Sequence, residues 1–241
     1  MTTLLAFDTA TEQMSIALVF GGRVVAHESA GGALASARLI PAIMALLAEA
    51  GARLQDLDAI AFGRGPGAFT GLRTACSVAQ GLAFGAGKPV LAIDSLLAVA
   101  EDARAGDAAE SRVWVTMDAR MDEVYAAHYA WRSGRWRALA PPRLCTPDWL
   151  AEQWSAEPAQ RIAGNALTVF GERLRTRGAA LFPQALPRAR AMLPLALSLW
   201  NEGGAADAAL ALPHYLRDKV AQTTLERDAA RAAKQAERAP E

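Results

Sequence analysis

The residues best suited to chemistry lie in two short polar stretches, each at the end of a predicted strand. The first is Asp8-Thr9-Ala10-Thr11, which follows the apolar run LLAF. An aspartate with neighbouring hydroxyls at a strand end could hold a magnesium-bound phosphate. The same residue types also favour an ordinary Asx turn, which is the more common reason for finding them together. Both interpretations stay open for Asp8, Thr9 and Thr11.

The second stretch is glycine-rich and reads GRGPGAFTGLR from Gly63 to Arg73. A bend between a strand and a helix can present backbone amides to an anion. The residues that could lie near a nucleotide phosphate are Gly65, Gly67, Thr70 and Arg73. The run matches G-x-G-x-x-A literally, but a dinucleotide fingerprint belongs to the first βα unit and needs an acidic residue about 20 positions later. Three predicted strands precede this run, and the next strand-end acid, Asp94, lies too far along the chain. We therefore predict a rigid bend that starts a helix, with a nucleotide contact as its secondary role.

The remaining chemical motifs give no catalytic prediction. The three histidines are too scattered for an H-x-x-x-H or H-E-x-x-H metal site, and the two cysteines fit no metal spacing. The carboxylates of Asp122 and Glu123 could do acid–base work, although a solvent-exposed hairpin explains them as well. We expect no catalytic residue and no metal ligand.

Composition indicates a folded protein rather than a nucleic-acid-binding tail or a disordered chain. The 241 residues are 52% hydrophobic and 21% charged, and the formal net charge is zero. A chain without a strongly basic half is not expected to bind nucleic acid alone. Asp8 comes too early for a signal peptide, and no uncharged apolar run reaches the ~18 residues of a membrane span. We expect a cytoplasmic protein that does not bind membranes.

Hydrophobic periodicity predicts an α/β protein built from two related halves. The first half has the order β-β-β-α-β-α-β-α, with strands at 3–8, 14–20, 23–29, 57–62 and 89–94 and helices at 36–50, 72–85 and 95–104. The second half begins again with three strands, at 113–118, 123–131 and 136–144. A helix at 148–154, a strand at 161–163 and helices at 167–175 and 194–202 follow. The predicted units are therefore a first lobe, 1–105, a second lobe, 106–217, whose last helix is able to pack back on the first, and a polar tail, 218–241.

The first two helices carry more apolar surface than one core contact needs. The first is apolar on two faces, and the second repeats small residues every four positions, which lets another helix approach closely. Packing within the chain and a partner interface explain these patterns equally well. The residues predicted to form a partner interface are Leu39, Ile43, Met44, Leu47, Gly71, Leu72, Ala75, Val78, Ala79 and Leu82.

Four segments carry a specific resemblance to a known family. LLAFDTAT, GRGPGAFTGLRTACSVAQGLAFG, DARMDEVY and PHYLR, in this order, resemble the bacterial TsaB family, also called YeaZ. The resemblance extends to about residue 217. It implies a duplicated ASKHA fold, the ribonuclease H-like architecture of actin, Hsp70 and sugar kinases, with a reduced second lobe.

The resemblance also implies a function. TsaB proteins are non-catalytic subunits in the formation of N6-threonylcarbamoyladenosine in tRNAs that read ANN codons. They bind and activate the transferase TsaD, work with the P-loop ATPase TsaE, and can form a homodimer through the same first two helices. The resemblance further implies that this protein has no cofactor of its own and that ATP or ADP binds, if at all, at the interface of the complex. It implies that tRNA is bound only through the complex. TsaD holds its metal with an H-x-x-x-H pair on the first long helix, and the equivalent region of this chain, residues 35–39, contains no histidine. TsaB proteins often keep one histidine near there, whereas this chain has Ala35.

The alternative hypothesis is an ASKHA-type ATP-binding phosphotransferase or ATPase that uses Asp8, Thr9 and the glycine-rich bend. Against this hypothesis, Asp118 is followed by Ala-Arg rather than by the glycine that a phosphate loop favours.

Overall fold

The first of two mixed sheets grows from an antiparallel meander at the start of the chain. A computed structural model describes residues 1–217. The strands of this sheet are β1 (Leu4–Asp8), β2 (Gln13–Phe20), β3 (Arg23–Ala30), β4 (Ala59–Gly65) and β5 (Val90–Asp94). Their spatial order is β3-β2-β1-β4-β5; β1 to β3 pair antiparallel, and β4 and β5 add in parallel. Gly21 and Gly22, both with positive φ, form the hairpin turn between β2 and β3.

The second sheet repeats this topology strand for strand. It contains β6 (Ser111–Arg120), β7 (Glu123–Arg132), β8 (Arg135–Cys145), β9 (Arg161–Ala163) and β10 (Ala180–Phe182), in the order β10-β9-β6-β7-β8. The first three strands pair antiparallel, and β9 and β10 add in parallel, as β4 and β5 do. The predicted duplicated α/β fold is confirmed.

The described chain contains six α-helices, several of which cover the two faces of the first sheet. They are α1 (Ala35–Ala50), α2 (Phe69–Ala86), α3 (Ser95–Arg104), α4 (Pro147–Ala156), α5 (Ala166–Phe170) and α6 (Ala189–Asn201). Helices α1 and α2 pack on one face of the first sheet, where Phe7 and Phe62 are fully buried. Helix α6, although it comes from the second half of the sequence, packs on the opposite face against Leu4 and Ala6. Because β1 is buried on both faces, its sequence is continuously apolar rather than alternating.

Three elements of the second half differ from the sequence prediction. Strand β10 was not predicted from the sequence; it is three residues long and pairs in parallel with β9. The predicted helix at 167–175 is the short α5 followed by a 3-10 turn at Gly171–Leu174. Helix α6 starts at Ala189, so Pro194 lies inside it. The early start depends on a distant partner, since the Ala189 N–H donates to Ser15 Oγ at 2.9 Å.

The segment Gly32–Ala50 is the one described helix that is long and apolar enough, by composition alone, to cross a membrane. The core helix of a water-soluble protein passes the same test. Here the inner face of α1 packs on the first sheet, and the exposed residues on its other side include Arg38 and Glu49. One face of this helix is therefore part of the core of the α/β fold.

Candidate functional site

Asp8 is a buried structural carboxylate. Its side chain accepts hydrogen bonds of 2.6 Å from Ser95 Oγ and from the backbone N–H of Ala10. Burial raises the pKa of Asp8 to about 6, and the two hydrogen bonds oppose that rise. Only 1% of the residue is exposed, so the carboxylate has no free oxygen directed to solvent. In this arrangement Asp8 joins two structural elements instead of facing a phosphate.

Three glycines of the bend, spaced by four residues, pack directly against the first turn of the chain. A Cβ at Gly63 would overlap the Asp8 carboxylate, and a Cβ at Gly71 would overlap the Thr9 carbonyl oxygen. At Gly67 a Cβ would lie 2.6 Å from the Ala10 carbonyl oxygen. The glycine spacing is therefore explained by close approach of two backbone segments.

Hydrogen bonds between these segments occupy polar groups that could otherwise bind an anion. Thr9 Oγ1 donates to the Gly71 carbonyl at 2.7 Å, and the Ala68 N–H donates to the Ala10 carbonyl at 2.8 Å. The N–H of Gly65 donates to Ser95 Oγ at 3.2 Å. This geometry favours the rigid-bend interpretation.

Three other residues predicted to lie near a nucleotide reach the surface but do not converge on one point. Thr11 Oγ1 accepts from the Gln13 N–H at 3.1 Å, which is a local turn contact. Thr70 is exposed in the first turn of α2. Arg73 extends its guanidinium over the ring of Phe69, 3.9 Å from the ring centroid.

A cleft of about 230 Å³ lies between the two lobes, smaller than the usual ~300–1,000 Å³ of a ligand pocket. It is lined by the first turn (10–12), the bend (66–69), the end of β6 (117–121) and the segment 214–217. The two arginines that line it are already paired: Arg120 contacts Glu12 at 2.9 Å and Asp118 at 3.3 Å, and Arg217 contacts Glu123 at 2.6 Å. The cleft offers little support for the phosphotransferase hypothesis.

The segment Pro213–Arg217, which we call the strap, crosses this cleft and contacts both lobes. On the first-lobe side the His214 N–H donates to the Arg64 carbonyl at 2.7 Å. On the second-lobe side Arg217 contacts Glu123 at 2.6 Å and donates to the Ala119 carbonyl at 3.0 Å. The PHYLR motif therefore has a structural role between the lobes. The predicted tail, 218–241, lies outside the described residues.

Most of the residues predicted for a partner interface lie in the core of this chain. The fully or almost fully buried ones are Leu39, Ile43, Leu47, Gly71, Leu72, Ala75 and Ala79. They cannot form a surface for another protein, because they already pack on the first sheet or against the first turn. Val78 and Leu82 are half-buried, and Met44 is 46% exposed. Periodicity showed that two faces were apolar but not which face the sheet would cover.

The exposed side of the same two helices forms a different surface, the outer helical face. On α1 it contains Ile40, 44% exposed, beside Met44; on α2 it contains Phe84, 65% exposed. Small residues lie between the large ones: a Cβ added to Gly81 or Gly85 meets no atom within 4 Å. The outer helical face consists of Ile40, Met44, Ser77, Gly81, Phe84 and Gly85. Apart from Met44, none of these residues was predicted from the sequence, although Ser77, Gly81 and Gly85 also recur every four positions.

A third segment borders the outer helical face. The Ala211 carbonyl accepts from Cys76 Sγ at 3.3 Å and from Gln80 Nε2 at 3.2 Å, which fixes this segment beside α2. Its neighbours Leu210 and Leu212 are 71% and 72% exposed. Exposed leucines next to an apolar helical surface enlarge a patch of the kind that binds proteins.

The described residues contain no group of three histidine, cysteine or carboxylate side chains that could hold a metal ion. Ala35 and Leu39, in the region where the resemblance places TsaD's metal pair, are buried apolar residues of α1. This part of the helix packs against the sheet.

Comparisons with known proteins agree with this architecture. The chain matches the family model described as TsaD, tRNA N6-adenosine threonylcarbamoyltransferase, over residues 23–225. It is 37% identical over 228 residues to the tRNA threonylcarbamoyladenosine biosynthesis protein TsaB of Haemophilus influenzae, covering 90% of this chain and 94% of that protein. It is 35% identical over 227 residues to TsaB of Escherichia coli K12, covering 90% and 96% respectively.

A solved structure of YeaZ from Pseudomonas aeruginosa has the same fold. It superposes with a TM-score of 0.81 at 42% identity, covering 90% of this chain and all (100%) of that one. Sequence identity, coverage and fold agree with the motifs and with the duplicated sheet topology. The chain therefore belongs to the TsaB (YeaZ) family of tRNA threonylcarbamoyladenosine biosynthesis proteins.

Proposed function

We propose that this chain is a non-catalytic subunit that binds and activates a TsaD-like transferase through its outer helical face. The observation that carries the proposal is the exposure of Ile40, Met44 and Phe84 around a row of small residues. Large exposed apolar side chains are costly in water, and each contributes roughly 1.5–3 kcal/mol when it becomes fully buried. The small residues let a partner helix approach closely, since no long side chain separates the two backbones.

The proposal includes the rest of the complex. The product is N6-threonylcarbamoyladenosine in tRNAs that read ANN codons, and a TsaE-like ATPase assists in the cytoplasm. A homodimer through the outer helical face is the form adopted without the partner. ATP or ADP binds at the complex interface, near Thr70 and Arg73, because these two residues are exposed beside the outer helical face.

The experiment replaces two exposed apolar residues by charges. The double substitution Ile40→Asp and Met44→Asp places two carboxylates in the proposed interface without altering the core. We expect the variant to fold, to lose co-purification with the co-expressed TsaD-like subunit, and to fail in a tRNA modification assay that needs this chain.

The matched control is Val169→Asp with Leu181→Asp, two residues of the second lobe with similar exposure. This variant should bind the partner and support modification like the unmodified chain. Normal pairing by the folded α1 variant would show that the interface lies elsewhere.

A further inference from the structure

The hairpin formed by β7 and β8 carries an unbalanced positive charge. Between Glu123 and Asp148 the sequence contains four arginines and no aspartate or glutamate. Strand β8 is also an edge strand of the second sheet. The net charge of the whole chain is zero, but this hairpin is locally positive.

Strand pairing places these arginines on one face. Arg132 pairs with Arg135, Ala130 with Arg137, and Ala126 with Arg143. Residues directly opposite each other in a sheet point to the same side, and alternate residues of β7 share that side. Ala130 also pairs with Arg112 of β6, which brings a fifth arginine to this face. We call Arg112, Arg132, Arg135, Arg137 and Arg143 the basic hairpin face.

The two sides of the hairpin have different surroundings. The opposite side carries Tyr129, which packs with Trp136 in the core beside α3. On the basic side, α4 covers the sheet from Val124 and Ala126 to Trp114, and its Trp149 lies 4.5 Å beneath the guanidinium of Arg143. Arg132, Arg135 and Arg137 extend from the other end and are exposed.

Few carboxylates neutralise this surface. Glu157 lies 3.3 Å from Arg112, and Glu202 lies 3.6 Å from Arg135. Both pairs are exposed, so each stabilises its arginine weakly. Among residues 1–217, no ion pair involves Arg132, Arg137 or Arg143. Glu110 lines one surface pocket with Arg112 and Arg132. These three glutamates are fewer than the five arginines, so the face keeps an excess of positive charge.

An aromatic pair lies within the basic hairpin face. The rings of Trp114 and His128 stack with centroids 4.6 Å apart and an interplanar angle of 10°. Burial lowers the pKa of His128, so its ring is uncharged at neutral pH. Trp114 also packs edge-on against Trp154 of α4, with 6.2 Å between the ring centroids. The aromatic pair therefore fills the covered part of this face, and the arginines provide the groups that could contact phosphates.

We propose that the basic hairpin face contacts the phosphate backbone of the tRNA while the chain is bound in its complex. The proposal rests on the proposed function, because the tRNA is presented by that complex. Charge complementarity selects RNA as the occupant, since guanidinium groups bind phosphate oxygens in pairs of hydrogen bonds. A few such contacts are too weak for independent binding, which agrees with the zero net charge of the chain.

The test measures tRNA binding by the assembled complex over a range of salt concentrations. The variant Arg132→Glu with Arg137→Glu reverses two unpaired charges on the face. Each lost phosphate contact removes about 0.7–0.9 from the slope of log affinity against log salt. We expect binding to weaken at least about tenfold at moderate salt, with a slope smaller by about 1.5.

The matched control is Arg23→Glu with Arg190→Glu, two exposed arginines outside the face. It should bind tRNA within about twofold of the unmodified complex, since it removes no phosphate contact. Equal binding by the two variants would overturn the proposal. Loss of a protein subunit from the R132E/R137E complex in gel filtration would also overturn it, because the face would then bind a protein.

The proposed function and this inference fail in different ways. If omission of the chain leaves tRNA modification unchanged, the proposed function fails and the inference fails with it. If modification needs the chain but R132E/R137E binds tRNA like the control, only the inference fails. Equal melting temperatures of the two isolated variants show that neither result comes from unfolding.

Discussion

Ser95 Oγ donates a hydrogen bond of 2.6 Å to the Asp8 carboxylate, which joins the end of β1 to the first turn of α3. The same hydroxyl oxygen accepts from the Gly65 N–H at 3.2 Å. One serine therefore connects the first turn, the glycine-rich bend and α3. Since Asp8 is buried in this network, we expect its ionisation to affect the stability of the fold.

The first prediction concerns pH. The pKa of Asp8 is about 6 in the folded chain and about 4 when unfolded, so the folded state binds the extra proton between these values. The free energy of unfolding should therefore fall as pH rises from about 4 to about 6, by up to about 3 kcal/mol for this group. Asp8→Asn cannot titrate and should lose this part of the pH dependence.

Urea unfolding of both proteins across this pH range checks the prediction. Burial also raises the pKa values of Asp94 and Asp102, so the unmodified chain retains further pH dependence from these groups. The difference between the two profiles isolates Asp8. Parallel profiles would show that Asp8 does not titrate in this range.

The second prediction concerns two glycines of α2. Gly71→Ala places a methyl group on the Thr9 carbonyl oxygen, so the backbone must move. We expect a loss of about 3 kcal/mol or more in the free energy of unfolding. Gly81→Ala is the matched control: its methyl group meets open space, and it should gain about 0.5–1 kcal/mol from helix propensity. Similar thermal unfolding of the two variants would contradict the close contact.

The third prediction concerns a contact between the lobes. Trp136 Nε1 donates to Glu101 Oε2 at 2.8 Å, and Arg104 pairs with the same carboxylate at 2.6 Å. Trp136→Phe removes the donor and should cost about 1.5–3 kcal/mol, because the acceptor is charged and buried. Chemical denaturation provides the measurement, with Trp149→Phe as the control for loss of an indole. If Trp149→Phe lowers the free energy of unfolding as much as Trp136→Phe does, the loss comes from the smaller ring and not from the missing hydrogen bond.

The fourth prediction concerns the strap. Arg217 is mostly buried and contacts Glu123 and the Ala119 carbonyl. Arg217→Ala should lower the free energy of unfolding by about 1–3 kcal/mol, because charge-assisted hydrogen bonds are lost. The exposed Arg190→Ala should change it by less than about 0.5 kcal/mol. A melting temperature equal to that of the control would show that the strap does not hold the lobes together.

Much of the architecture could be predicted from the sequence. The strand–helix order and the start of a helix after the glycine-rich bend are local features, so their predicted positions were close to those observed. The family could also be identified from short motifs. Predicted boundaries were less accurate where the first N–H of a helix bonds to a residue far away in the sequence. Helix α6 is the example, because its Ala189 N–H donates to Ser15 Oγ.

The candidate site was predicted less well, because burial and facing depend on contacts between distant segments. The sequence by itself determined which helices are apolar, which residues are glycines, and where the arginines lie along the chain. Only the tertiary structure decided that Leu39 and Ile43 face the sheet while Ile40 and Met44 face solvent. It also decided that the glycine-rich bend packs on the turn after Asp8, and that strand pairing gathers the arginines of β8 on one face. Hydrophobic periodicity specifies a pattern around a helix or along a strand, but the neighbouring segments determine which side becomes the core.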